Sequence, residues 1–272
     1  MIVMQKYDVI IFMGQSNMQG ESERLPDDNA PIKGALEYRY LTNCLVELKN
    51  PVGECIRYDG SKGFEECEDM SNQKEWLAVH ALGASSFGYA NMVPSFCRSY
   101  IAESGRNVIA IHAARGCTSI SRWLPQTPIY EMAVQKVDLC LKSYSEMIND
   151  TQISVVWLQG ESDAKLATTK EDYKEKLRVI KDDLKLRFGV SKFGIIKVGA
   201  FTNDCRDQVI FDAQEEVCKE DSDFVMITRI TEQLVNRIEY MNPKDPGHFN
   251  CAGLELIGET AGRNLAKIQK GE

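Results

Sequence analysis

The chain has 272 residues, of which 43% are hydrophobic and 26% charged, the balance of a globular protein long enough to bury a substantial core. Its 40 acidic residues outnumber its 32 basic ones, for a formal net charge of −8. That excess argues against a nucleic-acid partner or an anionic membrane surface, because holding phosphates takes a dense basic face.

The first element expected is a buried strand over Asp8–Met13, which runs into the polar turn Gly14-Gln15-Ser16-Asn17. Residues from about 21 to 80 are polar, acidic and irregular, with strand-like pieces at Ala35–Leu41 and Cys44–Leu48, and read as an insertion covering a site. Ser86–Ser104 has helical character, with Pro94 predicting a kink or a late start and Gly105 a stop. Asn107–His112, Ile153–Leu158, Phe193–Phe201 and Phe224–Ile230 read as further buried strands. Helical patterns alternate with them at Ile129–Ile148, Thr169–Phe188, Arg206–Lys219 and Gly253–Ile268. The alternation predicts an α/β fold, a doubly wound and mostly parallel five-stranded sheet with helices on both faces. Chemistry in such sheets gathers at the carboxyl ends of the strands.

Nine cysteines form no CxxC pair and no Cys/His zinc spacing. They read as buried thiols of a reducing compartment. No apolar run is long enough for a membrane span and no signal peptide is visible, so a cytoplasmic protein is expected.

The turn after the first strand admits three readings. A phosphate cradle lacks its Lys-Ser/Thr and its Gly-x-Gly-x-x-Gly, and Glu21 would repel phosphate. A plain loop and a catalytic Ser16 remain. A catalytic serine needs a base, a group orienting the base, and oxyanion donors. Among three histidines, His112 ends a strand, His80 lies in the insertion, and His248 sits in a Pro/Gly-rich loop three residues after Asp245. That spacing lets the acid curl back onto Nδ1, although taken alone it is a weak pattern that a plain turn explains better. Val155–Ala164 ends a strand at Gln159-Gly160-Glu161-Ser162-Asp163; Gln159 is a possible oxyanion donor, and the segment is also a simple strand exit. In Ala114–Trp123, Thr118 belongs to a tight turn and Trp123 either walls a substrate pocket or packs in the core.

Taken together and in this order, Gly-Gln-Ser-Asn-Met, Trp-x-Gln-Gly-Glu-Ser-Asp and Asp-x-x-His resemble the SGNH hydrolase superfamily, in particular carbohydrate esterases of family six and sialate O-acetylesterases. The resemblance runs from Asp8 to about Gly258 and implies a single flavodoxin-like SGNH esterase domain over residues 1–272. It implies a nucleophile at Ser16, a base at His248 with Asp245 orienting it, and an oxyanion hole of the Ser16 N–H, Gln159 and Gly83. Gln15, Asn17, Glu161, Thr118 and Trp123 become candidates for support or substrate contact, and Glu161 for assisting or replacing Asp245. The expected substrate is a small-molecule or oligosaccharide acetyl ester, of xylan type or of sialic acid. No metal, cofactor, nucleic acid or membrane is called for. Two other functions stay open at this point: hydrolysis of another ester or thioester, and a non-catalytic carbohydrate-binding module.

Overall fold

The computed structural model describes residues 6–54, 82, 90–148 and 151–271. Seven strands form one sheet: β1 (Tyr7–Gly14), β2 (Ala35–Arg39), β3 (Cys44–Glu47), β4 (Asn107–Ala114), β5 (Ile153–Leu158), β6 (Lys192–Ile196) and β7 (Phe224–Thr228), in the order β3-β2-β4-β1-β5-β6-β7. Neighbours are parallel except β2 and β3, which form an antiparallel edge. The expected count of five is therefore corrected to seven. The two strand-like pieces of the insertion do not cover the site; they extend the sheet beyond β4, since Leu36 pairs with Ile109 and Tyr38 with Leu45.

Alternation along β1 creates two cores. Val9, Ile11 and Met13 face one side, where they meet α3 (Pro128–Ser143), α5 (Lys170–Phe188) and α6 (Cys205–Glu220); Ile10 and Phe12 face the other, where α2 (Val93–Ser104), the short α7 (Thr231–Leu234) and α8 (Cys251–Lys270) pack. Pro94 lies in the first turn of α2, so the expected late start is what occurs; residues 86–89 of the predicted helix lie outside the described residues. Thr169 caps α5 by accepting from Asp172 N–H. Between α2 and α8 the contact is backbone-close, because a Cβ at Gly258 or Gly262 would stand 2.4 or 2.2 Å from the carbonyl oxygen of Met92 or Phe96.

The strand after β1 leaves to one side and the chain returns through β4, then crosses β1 to β5 on the other side. This reversal makes the carboxyl end of β1 a topological switch point, the place where α/β sheets hold ligands. The opposite end is tied by Asp8, whose buried carboxylate accepts from Arg106 (2.7 Å to each oxygen) and Tyr100 Oη (2.8 Å).

Beside β2 lies a second buried polar group. Lys136 Nζ donates to Glu54 (2.7 Å), His112 O (2.9 Å) and Leu82 O (3.2 Å), so all three ammonium protons are used. Loss of one member of such a buried pair costs on the order of 3–5 kcal/mol. Next to it, burial pushes the Glu37 carboxyl up to about 7, against the pull of Arg39 at 2.9 Å and of Lys136. A raised folded value means that the fold favours the neutral acid. Glu37 thus contributes stability that is full below its ordinary value of 4.5 and is lost as pH rises through about 7. Melting of the wild type and of Glu37→Gln between pH 5 and 8 is expected to show the wild type losing ground to the variant as pH rises; a Tm difference independent of pH contradicts this.

Candidate active site

Gly14 ends β1 with φ of 146°, and a Cβ there would lie 2.0 Å from Leu158 O. Only glycine permits this approach of β1 to β5. The chain then makes a single helical turn, α1 (Ser16–Gln19). A first helical turn leaves its leading N–H groups without intrahelical partners, which gives the Ser16 N–H no acceptor within the turn. Ser16 itself is 7% exposed. The His112 ring, fully buried, backs the turn with Nε2 3.0 Å from Met18 O, so this strand-end histidine is structural.

The residues beside Ser16 fasten the turn to two other segments. Asn17 Nδ2 donates to Glu161 Oε1 (2.8 Å), and Asn17 Oδ1 accepts from Phe249 N–H (3.1 Å). Phe249 follows His248 directly. On the other side of the loop, Asn242 accepts Lys244 N–H (2.9 Å) and donates to Glu21 O (2.5 Å). The turn itself closes by His248 N–H to Asp245 O (2.9 Å) and Asn242 N–H to His248 O (2.8 Å). Asp245 Oδ2 lies 2.8 Å from His248 Nδ1, but off the line of the ring N–H, so the contact has ion-pair distance without hydrogen-bond alignment. Among the described residues no hydrogen bond joins Ser16 Oγ to His248. Nucleophile–base bonds of this kind commonly tighten only with substrate present.

Glu161 opens the short helix α4 (Glu161–Lys165) and is almost wholly buried. Burial raises its carboxyl, the Asn17 bond pulls it back in part, and Asp163 pushes it further up. Its Oε2 is buried without a partner. Glu161 therefore reaches the His248 loop through Asn17.

Burial corrects the expectations for Gln159 and Thr118 and decides between the two readings of Trp123 in favour of core packing. Gln159 is 0% exposed, and its amide already donates to Asp163 Oδ2 (2.6 Å) and Thr118 O (2.9 Å), so it has no proton to offer an oxyanion. Trp123 is likewise sealed in the core, with Nε1 on Thr118 Oγ1 (3.0 Å) and its ring edge-on to Trp157. Thr118 donates in turn to Arg115 O (2.8 Å) and holds the loop, not a substrate. Gly83 and His80 lie outside the described residues.

Two residues gain importance from the geometry. Gln15 Oε1 accepts from Ser162 N–H (3.2 Å), with Gln159 Nε2 a neighbour at 3.3 Å whose protons go elsewhere, while Gln15 Nε2 has no hydrogen-bond partner among the described residues and is not sealed from solvent. Gly116 packs on the nucleophile, as a Cβ there would lie 3.6 Å from Ser16 Cβ. Its glycine identity was the only hint of this in the sequence.

The fold and these motifs agree with known proteins. A family model described as carbohydrate esterase, sialic acid-specific acetylesterase, matches residues 6–267. The chain belongs to this family. The enzyme is thus a carboxylic ester hydrolase, and the non-catalytic alternative falls away. No curated protein sequence matches it. Among solved structures, a protein from Arabidopsis thaliana is 15% identical with a TM-score of 0.64, over 96% of this chain and 98% of its own. NanS is also 15% identical, with a TM-score of 0.63 over the full length of both chains. A carbohydrate acetylesterase from Xanthomonas citri is 12% identical with a TM-score of 0.58; the match covers 97% of this esterase and 57% of that chain. No helix among the described residues is long and apolar enough to cross a membrane.

Removing Asn17 would leave the Glu161 carboxylate and the Phe249 N–H unpaired and release the loop that carries His248. Asn17→Ala is expected to lose about 2–4 kcal/mol of stability and at least tenfold in kcat. Denaturant unfolding and turnover of p-nitrophenyl acetate measure both; unchanged kcat in a folded variant contradicts the positioning role.

Proposed function

We propose that this esterase removes O-acetyl groups from acetylated carbohydrate through an acyl-enzyme on Ser16. The observation that carries the reading is the 2.8 Å approach of Asp245 to His248 Nδ1, in a loop whose backbone is fastened to Asn17, the residue next to Ser16. Asp245 holds the imidazole with Nε2 toward the nucleophile. His248 takes the Ser16 hydroxyl proton as Oγ attacks the acetyl carbonyl. The tetrahedral intermediate collapses, the carbon–oxygen bond to the sugar breaks, and His248 returns its proton to the leaving hydroxyl. Water, deprotonated by the same histidine, then releases acetate and restores Ser16.

The oxyanion takes one hydrogen bond from the Ser16 N–H. Since Gln159 is spent in the core, the side-chain donor we assign is Gln15 Nε2, whose orientation is set by the Ser162 N–H that holds its Oε1. A pre-oriented donor of this kind contributes about 3 kcal/mol to transition-state stabilisation. Gln159, locked to Asp163, Thr118 O and Tyr173, gives rigidity instead.

The acylation scheme is tested by turnover of p-nitrophenyl acetate in Ser16→Ala, His248→Ala and Gln15→Ala. The first two are expected to fall by at least 10³-fold. Gln15→Ala is expected to lose about 10²-fold in kcat with KM little changed. Undiminished turnover in both Ser16→Ala and His248→Ala would sink the assignment, and a purely KM effect in Gln15→Ala would remove it from the oxyanion hole. An acyl-chain series should favour acetyl; a preference for long chains would make this a lipase- or thioesterase-like hydrolase.

A further inference from the structure

The chain leaves β6 at Ile196 and passes two parts of the site before α6 begins. A Cβ at Gly160 would lie 3.1 Å from Val198 Cγ1, and one at Gly199 would lie 3.6 Å from Phe249 Cζ. Gly160 stands between Gln159 and Glu161, and Phe249 follows His248. Two residues further on, the Phe201 ring reaches the loop of the base itself. Its Cε2 would stand 3.0 Å, and its Cδ2 3.8 Å, from a Cβ at Gly247, the residue before His248. The same Cβ position is 3.6 Å from Asp245 Oδ1. An aromatic edge and the Asp245 carboxylate thus meet over one glycine.

Phe201 is 37% exposed, and among the described residues it is the one aromatic side chain that is exposed. A solitary apolar side chain at a surface is ordinary; this one is held out on a fixed support. The two N–H groups that follow it, of Thr202 and Asn203, donate to the buried Asp207 carboxylate at 3.0 and 2.7 Å. Asn203 has a left-handed φ of 58°, and Asp204 then caps α6 by accepting from Arg206 N–H. Tethered to a buried carboxylate, the loop keeps the ring at the surface.

The reaction dictates what comes to this place. His248 returns its proton to the leaving hydroxyl, so the alcohol half of the ester sits on the side of the base while the acetyl oxygen lies among the oxyanion donors. Whatever flanks the base's loop on that side meets the leaving group. There the structure offers an exposed aromatic ring beside the Asp245 carboxylate, whose side chain is 54% exposed. An alkyl alcohol would cover the ring but dry the carboxylate with nothing to donate to it. A pyranose suits both. Its C–H face matches the electron-rich face of the ring, and its rim of hydroxyls can donate to the carboxylate.

We propose that Phe201 is a specificity-determining platform on which the ring of the leaving sugar stacks during acylation. It binds and orients; no bond forms or breaks on it. The step in which it acts rests on the esterase reading above. Once the sugar has left, the acetyl-enzyme is hydrolysed without it. A ring that merely propped the His248 loop through Gly247 would behave differently: a prop acts wherever His248 acts, on every acetyl ester, whereas a platform acts only on a leaving group that carries a ring.

Acylation is followed as kcat/KM for a monoacetylated methyl xyloside and for an O-acetylated sialic acid, each against ethyl acetate, whose leaving group has no ring. The sugar-to-ethyl ratio for the better sugar is expected to fall about tenfold in Phe201→Ala. It should fall nearly as far in Phe201→Leu, which keeps the bulk without the ring, and mostly survive in Phe201→Tyr. A wild-type ratio in folded Phe201→Ala, or a loss shared equally by ethyl acetate, would overturn the platform, as would a wild type that prefers neither sugar ester to ethyl acetate. If Phe201→Ala does not fold, Phe201→Leu decides. Binding reads the same contact without turnover. The methyl glycosides of the two deacetylated sugars are titrated into the intact enzyme, and the C–H protons of the better-bound sugar are expected to shift upfield in NMR with the wild type and not with Phe201→Leu. Equal shifts, or none, contradict the platform. A wild type that shows the shift yet hydrolyses no acetyl ester would refute the esterase chemistry and leave the contact standing. One that hydrolyses ethyl acetate and shows neither effect would refute the platform alone.

Discussion

Three strands are tied together at Gly14. Its carbonyl accepts from Arg115 at the end of β4, and the next N–H, of Gln15, donates to Leu158 O at the end of β5. The missing Cβ lets β1 and β5 end in contact. Everything that gives Ser16 its setting follows from this joint. Gln15 is oriented by the β5–α4 turn, Gly116 is brought against the serine by β4, and Asn17 is placed to reach both Glu161 and the loop of His248. A larger residue at 14 would separate the strands and so the partners, with no change to any catalytic group.

The base arrives from the far end of the chain. Its loop owes its position to ordinary polar chemistry: Asn242 to Glu21 O, Phe249 N–H to Asn17, and Asn250 capping α8 by accepting from Gly253 N–H. These are buried or half-buried contacts whose loss costs more than their formation returns. They define the loop tightly, while Asp245 remains largely exposed at its tip. The chemistry is held by second partners, chiefly Asn17, more than by direct contact between nucleophile and base.

Much of this was legible from sequence because it depends on local pattern. Period-two burial in β1, the start of α2 at Pro94, the cap at Thr169 and the close Asp245–His248 spacing are all short-range signals. The edge strands were legible as strand-like but not as sheet members, because a polar, part-exposed edge lacks the continuous apolar run of a central strand. Gln159 misled, and Trp123 stayed open between pocket wall and core, for a different reason. Each ends up in a buried network whose partners, Asp163, Thr118 and Tyr173, come from other elements, and nothing in a linear motif says whether an amide donor is already in use. The free amide of Gln15 was invisible for the same reason, since a missing partner can be seen only when the surrounding residues are in place.

Covalent labelling locates the nucleophile most directly. The folded protein is treated with a fluorophosphonate and digested, and the modified peptide is sequenced by mass spectrometry. A single adduct on Ser16, lost in His248→Ala, is the expected result. Labelling at another residue, or none in folded protein that still hydrolyses p-nitrophenyl acetate, would contradict an acyl-enzyme on Ser16.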